Sequence, residues 1–430
     1  MNETKKRSYL VGLIIASALP AIGLPALPGT LTTASVLLYV SAVFGYIGIV
    51  LLLWMYALGA KSIFGLVFRD ISSITHIHRW LGKYGLLFIL AHPILITLSY
   101  GEGLFYSLVP HISSEFERHV TLGRISLYLV IMLWVSSVLL RKKMGYRPWK
   151  YLHFLAYIAL PFSLLHVPGT GSQFANDTFV KVYYFGLVVT YFIVTLLRIR
   201  GILAIDANKA TVVRHQEIAK STYMLEVSLP KTAPLPKPGQ YVYIRMGIVS
   251  EDHPFSVVQT GTDTHTALLA YRVTGRYSQA MARLQPGQSV YVSNPYGAFL
   301  SSLDDDQTPV VFVAGGIGVT PFMQALLHER SPDTTWLFYA NRSRATTAFM
   351  QPLAQKLGAH SIMLFSDEPA VAQNEIHGRI TMETFTNTLV APKQCTYYIC
   401  GSQGMMNHTL SILQAIGVPK KQIHTEAFEF

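Results

Sequence analysis

Two hydrophobic periods divide the chain. Up to about residue 203, apolar residues run in blocks at about 9–28, 34–60, 79–100, 121–140, 151–168 and 179–198. About 20 apolar residues in a helix cross a bilayer core of about 30 Å. Beyond residue 204 the period shortens. Thr211–Arg214, Thr222–Ser228, Gln240–Arg245, Ala267–Val273 and Ser289–Ser293 alternate apolar and polar positions, punctuated by Pro238-Gly239 and Pro286-Gly287. Such strands predict a small antiparallel barrel. From about 308, the continuous apolar runs Val310–Ala314, Thr335–Ala340, Ser361–Phe365 and Thr396–Cys400 alternate with helical segments. Those are buried parallel strands of a nucleotide-binding α/β pattern. The expected architecture is multidomain: a six-helix transmembrane bundle over 1–203, an antiparallel β-barrel over 204–304, and an α/β domain over 305–430.

Charge sharpens this division. Only 13% of residues are charged and 51% are hydrophobic, against about 25% charged in an average soluble domain. Residues 1–204 hold 17 Lys+Arg and 6 Asp+Glu, and the remainder is balanced. The basic residues flank apolar blocks, so membrane topology explains them and nucleic-acid binding does not. With both termini cytosolic, fourteen cations fall inside (Lys5 to Arg200) and only Arg118, Arg124 and Lys181 outside, as the positive-inside rule requires. This predicts an integral plasma (inner) membrane protein of six spans, with its C-terminal half in the cytoplasm. The start Lys5-Lys6-Arg7 also suits a cleaved leader; five further blocks follow it, and the first is read as retained. The two cysteines, Cys395 and Cys400, are too few for a disulfide framework or a Cys-rich zinc site.

Ionisable residues inside a membrane mark functional sites. The third block carries His78 and His92, and the fifth carries His153 and His166. The spacings of 14 and 13 residues correspond to about 21 and 20 Å of helix. Both blocks run outward, so His78 and His153 share one depth, and His92 and His166 another. Two imidazoles facing one iron is an established haem ligation. The angular phase fits the first pair of positions. It leaves His153 and His166 about 140° apart, and Pro161 between them is the expected place of a distortion. His76, His111 and His119 fit no pairing and are read as loop or interfacial. Arg79, Lys83 and Lys150 inside, and Arg124 outside, are candidates to neutralise haem propionates. Phe88, Tyr157 and Phe162 lie between the two levels.

Three motifs mark the soluble half. His253-Pro254-Phe255-Ser256 is placed at the end of a barrel strand. Gly275-Arg276-Tyr277-Ser278 opens a helix, where free N–H groups suit a pyrophosphate. Gly315-Gly316-Ile317-Gly318-Val319-Thr320-Pro321 follows an apolar strand, where glycines admit a dinucleotide phosphate.

In this order the motifs resemble the ferredoxin–NADP reductase superfamily. Nearly the whole chain resembles the NADPH oxidase and ferric reductase family of transmembrane flavocytochromes b, in its bacterial oxidase-like form. The resemblance implies FAD held by His253, Pro254, Phe255 and Ser256 and by the pyrophosphate turn Gly275, Arg276, Tyr277 and Ser278. It implies a nicotinamide nucleotide on Gly315, Gly316, Gly318, Thr320 and Pro321, with Cys400-Gly401 beside the nicotinamide. It implies two b-type haems on His78, His92, His153 and His166, and a C-terminal aromatic, Phe428 or Phe430, shielding the flavin. Arg342 and Arg379 suit a 2′-phosphate, which favours NADPH, with NADH the alternative donor.

The implied activity carries electrons from NADPH through FAD and haem to a small acceptor, O₂ giving superoxide or an Fe(III) chelate. The outer loop at about 101–120, with His111, Glu115, Glu117 and His119, is either a metal site or a solvated loop. A haem-free, membrane-anchored reductase serving a partner protein or quinone is the alternative from another class. A transporter with a regulatory nucleotide domain is a third. Hydride and electron transfer need no protein acid or nucleophile, so no catalytic residue is nominated. Oligomeric state is not encoded in any of these patterns.

Overall fold

The computed structural model describes residues 3–64, 67–68, 71–170, 174, 176–248, 250–303 and 309–427. The chain folds as two compact units, Met1–Arg200 and Gly201–Phe430. The expected boundary at 304/305 lies outside the described residues, as do Phe428 and Phe430.

The first unit is a bundle of long apolar helices. Its elements are α1 (Glu3–Ala18), α2 (Thr33–Leu58), the short α3 (Lys61–Phe64), α4 (Ile71–Tyr84), α5 (Leu86–Ser99), α6 (Glu115–Trp134), α7 (Tyr146–His153), α8 (Ala156–Thr170) and α9 (Thr178–Ile202). Hydropathy predicts six spans. Among the described residues five segments are long and apolar enough: Thr33–Leu58, Ser73–Ser99, Glu115–Leu139, Tyr146–Thr170 and Thr178–Ile202. The first block departs from expectation because Pro20 ends the α-helical geometry. α1 holds 16 residues and gives way to a 3₁₀ turn at Leu19–Ile22.

Small residues let these helices approach closely, as membrane helix pairs require. On α2, Gly48 sits against Ile89 of α5, and Gly45 against His92. On α6, Gly123 sits against His166 of α8, and Ser126 donates to the Ala159 carbonyl at 2.8 Å. The outward face is apolar instead of polar. Phe179, Val182, Phe185, Val189, Phe192 and Leu196 of α9 are all exposed, the inverse of a water-soluble helix.

The segment Ser73–Ser99 breaks at Gly85, between α4 and α5, and Tyr146–Thr170 breaks at Phe154–Leu155, between α7 and α8. The second break corrects the expectation that Pro161 carries the distortion. Pro161 lies inside α8. The chain tightens earlier, where Leu155 bonds to Leu152, Tyr157 to Phe154 and Ile158 to Leu155. These three-residue steps overwind the helix and change the phase between His153 and His166.

The second unit begins with a closed six-stranded barrel, in the order β1-β2-β5-β4-β3-β6. The strands are β1 (Asn208–Ala219), β2 (Thr222–Ser228), β3 (Tyr241–Arg245), β4 (His253–Gly261), β5 (Thr266–Arg272) and β6 (Ser289–Val292), with α10 (Arg276–Met281) after β5. The motif at 253–256 opens β4 and does not end a strand; Ser256 pairs with Tyr241 and Phe255 with Val242 of β3. Pro254 is tolerated because it sits in the first residues of its strand.

An open six-stranded sheet follows, ordered β10-β9-β8-β7-β11-β12. It comprises β7 (Val310–Gly315), β8 (Thr335–Asn341), β9 (Ser361–Phe365), β10 (Glu375–His377), β11 (Thr396–Gly401) and β12 (Ile423–Ala427), with helices α11 (Met350–Leu357), α12 (Met382–Thr386) and α13 (Gln403–Ile416). All five pairings are parallel. The strand order reverses between β7 and β11, and such a switch point opens a crevice at the carboxyl ends of the strands. Val258 and Ala270 of the barrel share one core with Phe312, Val319 and Phe322, so β4 and the loop after β7 are packed together.

Candidate functional site

In the first unit the four histidines of the apolar helices form two pairs. The rings of His78 and His153 have centroids 6.1 Å apart, inclined at 72°. Those of His92 and His166 are 6.3 Å apart, inclined at 73°. A first-row metal–imidazole bond is about 2 Å. Two such bonds, plus the offset of each nitrogen from its ring centre, give a centroid separation of about 6 Å. Each pair therefore matches the span of one metal atom between two imidazoles.

The tautomers are also set. His78 Nδ1 lies 3.0 Å from the Met55 carbonyl. His92 Nδ1 lies 2.8 Å from that of Ser41, and His166 Nδ1 is 2.8 Å from that of His119. A carbonyl only accepts, so each Nδ1 carries the proton and each Nε2 keeps its lone pair. Thr170 Oγ1 lies 3.4 Å from His166 Nε2, but its hydroxyl proton already goes to the His166 carbonyl at 2.8 Å. His153 differs: its Nδ1 lies 3.3 Å from the Ser137 hydroxyl. Among the described residues no three His, Cys, Asp or Glu side chains gather as a metal site. That includes the expected outer loop: His111 stacks on Tyr106, and Glu117, in the first turn of α6, accepts from the Ser113 hydroxyl.

Of the cations expected near the propionates, Arg124 is the best placed to meet an anion. It is 4% exposed, its Nη2 donates to the Tyr106 carbonyl at 2.8 Å, and its Nε and Nη1 have no partner. A buried guanidinium with orphaned donors is costly unless an acceptor fills the gap. Arg79 and Lys83 are exposed. Arg198, near the C-terminal end of α9, lies over the rings of Tyr56 and Tyr157 at 4.6 and 4.8 Å. Phe88 packs edge-on against Phe44. His119 belongs to α6 and not to a loop; its ring bonds the Leu165 carbonyl at 3.0 Å.

In the second unit, His253 stacks on Tyr277 with centroids 3.8 Å apart. Burial pushes the Tyr277 phenol well up, and it donates to the Ile244 carbonyl at 2.6 Å. Gly275 caps α10, and Ser278 Oγ accepts from the Thr274 and Gly275 N–H groups. Tyr277 and Ser278 thus fix the turn, while Arg276 is exposed.

The glycines after β7 serve close packing first. A Cβ on Gly318 would lie 2.4 Å from the Cys400 carbonyl oxygen, and Gly401 lies against Gly315. Gly316 has φ +56°, a left-handed conformation that favours glycine. Thr320 and Pro321 are buried, with the Thr320 hydroxyl turned onto the Ile317 carbonyl. Gly315, Gly318, Cys400 and Gly401 therefore meet at the switch point. Burial pushes the Cys400 thiol far up, and Glu426 adds to this.

Arg342 follows β8, and Arg379 lies two residues beyond β10; both are exposed at the carboxyl edge of the sheet. Arg344, absent from the expected set, is held by Glu368 and Glu375 and lies over the Phe365 ring at 4.6 Å. Its carboxylate partners leave Arg342 as the more available cation.

The profile for "Ferric reductase like transmembrane component" matches residues 44–164, and that for "Oxidoreductase NAD-binding domain" matches residues 312–410. The chain is 26% identical over 205 residues to the propane 2-monooxygenase reductase component of Mycolicibacterium smegmatis, covering 45% of this chain and 59% of that protein. It is 24% identical over 321 residues to ferric reduction oxidase 8, mitochondrial, of Arabidopsis thaliana, covering 68% of this chain and 41% of that one. The chain thus spans less than two thirds of these relatives. A ferredoxin NADP+ reductase from Neisseria gonorrhoeae with bound FAD and NADP matches 52% of this chain and 98% of its own, at 20% identity and a TM-score of 0.46. The chain joins a ferric-reductase-like, membrane-associated domain to an oxidoreductase-type NAD-binding domain.

Proposed function

We propose that the protein is a transmembrane oxidoreductase that moves electrons from cytosolic NADPH, through FAD and two b-type haems, to O₂ on the opposite side, giving superoxide. The observation that carries this is the pair of imidazole pairs, 6.1 and 6.3 Å between centroids, with Nε2 of His78, His92 and His166 left free to bind iron. The orphaned Arg124 donors suit an outer haem propionate. Bound at these residues, FAD would supply hydride acceptance and one-electron release, and haem would supply a one-electron relay.

The chain's own residues do the positioning. β4 and the α10 turn hold the flavin; the β7–β11 switch point holds the nicotinamide nucleotide. Arg342 and Arg379 receive its 2′-phosphate. The match to ferric reduction oxidase 8 covers 68% of this chain, more than either unit alone, which supports electron flow between the two halves. Domain limits of 1–203, 204–304 and 305–430 follow from the same reading.

A reduced-minus-oxidised spectrum with a haem-to-protein ratio tests it. The expected outcome is a b-type signal with two haems per chain; a colourless protein after haem-replete expression overturns it. The family description favours an Fe(III) chelate as the second acceptor. Superoxide dismutase-sensitive reduction of a superoxide dye, set against ferric-chelate reduction in the same preparation, separates the two.

A further inference from the structure

The four histidines are not anchored alike. Three give their Nδ1 proton to a backbone carbonyl at 2.8–3.0 Å. The Ser41 hydroxyl also lies 3.1 Å from His92 Nδ1, beside the carbonyl; at His153 the Ser137 hydroxyl, at 3.3 Å, stands in place of a carbonyl. That hydroxyl has a second suitor. Trp149 Nε1, which can only donate, lies 3.1 Å from the same oxygen. Trp149 also stacks on the His153 ring, with centroids 5.0 Å apart at 27°. Trp149 and His153 are four residues apart on α7, so they share one face. Ser137 reaches them because α6 ends in a single π-helical turn, Val135–Leu139. Such turns re-aim one side chain and often mark functional sites.

We infer that Ser137 and Trp149 form a positioning pair that tunes the inner haem through His153. This rests on the haem assignment above. With Nε2 on iron, Nδ1 is a donor, so Ser137 Oγ accepts from both Nδ1–H and the indole N–H. A hydroxyl shared between two donors is a weaker acceptor than a backbone carbonyl. A weaker acceptor makes the imidazole less basic, and a less basic ligand stabilises Fe(III) less. Ser137→Ala removes the acceptor and raises the inner potential. Trp149→Phe keeps the stack but frees Ser137 for His153 alone, and lowers it. The two variants move one haem in opposite directions, which a merely structural role does not do.

Potentiometric titration of the detergent-purified full chain, followed at the haem absorbance, tests this. The expected result is two steps in the wild type, with one step shifted up in Ser137→Ala and down in Trp149→Phe, the other unmoved. Ser137→Thr keeps the hydroxyl and should restore the wild-type value. Shifts of the same sign, equal movement of both steps, or no movement overturn the inference while leaving the haem assignment standing. If Ser137→Ala loses haem, Ser137→Thr decides: wild-type potentials support the pair, and loss of haem there overturns it. A wild type without haem overturns the assignment and the pair together.

Discussion

Gly123 and Gly45 set helix propensity against packing. Alanine in a helix interior gains about 1 kcal/mol over glycine. At these positions a Cβ would lie 2.7 Å from His166 Nδ1 and 2.9 Å from His92 Nδ1. Overpacking costs about 1–3 kcal/mol, and here it falls on a proposed ligand ring. Gly123→Ala is therefore expected to lose the outer haem, so the ratio falls from two haems per chain toward one. Pyridine haemochrome analysis of the purified variant reads this; a full complement of haem would sink it. The two cysteines give a second residue-scale outcome. Burial pushes the Cys395 thiol up to about 11 from 9.0, so the protonated form is favoured in the fold. Its stabilising contribution is present below pH about 9 and is lost as pH rises through about 11. Native protein at pH 8 should leave both thiols unlabelled by iodoacetamide, and denatured protein should label both. Rapid labelling of the folded chain would contradict this. The pairing of His78 with His153 and of His92 with His166 was legible in the sequence from their spacing along the apolar blocks. Their anchors were not. Three are backbone carbonyls, which no side-chain pattern reveals, and Ser137 is reached only through a π-turn.

At the scale of elements, strands and spans follow the hydrophobic period closely. Val310–Ala314 and Ser361–Phe365 fall where continuous apolar runs predict them. The start of β4 was less legible, because Pro254 reads as a terminator when only the sequence is seen. The role of the β7 glycines also changes. The motif suggests phosphate approach, while the geometry shows β7 and β11 closing on each other. That distinction makes a testable pair. A Cβ at Gly315 meets the Met405 Sδ at 2.3 Å, the end of a flexible side chain, whereas one at Gly318 meets backbone at 2.4 Å. Methionine can rotate away and a strand carbonyl cannot. Gly318→Ala should destabilise the second unit by about 1–3 kcal/mol, and Gly315→Ala by less. Flavin-fluorescence melting of the full chain would order them; equal melting temperatures would refute the packing role.

At the scale of the whole molecule, the open matter is which side of the membrane holds the N-terminus. Five segments meet the length and hydropathy of a span, which taken alone would put the two termini on opposite sides. α1 has 16 residues and its 3₁₀ continuation 4. At about 1.5 and 2.0 Å per residue these add to about 32 Å; the uncharged part from Ser8 to Ile22 is about 25 Å, and Lys5, Lys6 and Arg7 reach the interface along their own side chains, so the block suffices for a hydrocarbon core of about 30 Å. The packing agrees with a crossing. Leu10 and Ile14 share a core with Leu51 and Leu58 of α2. Further along α1, Ser17 accepts from the Trp54 indole, and the Ile22 carbonyl accepts from Tyr39. Contacts from Leu58 back to Tyr39 run most of the length of α2, so the first block lies alongside a full span. The charge pattern supports the same expectation, since the positive-inside rule groups Lys5, Lys6 and Arg7 with Arg141–Lys143. Reporter fusions ahead of Met1 and after Phe430 should therefore behave alike, with a fluorescent protein folding and a phosphatase inactive at both ends. An active phosphatase at the N-terminus alone would mean that the first block does not cross.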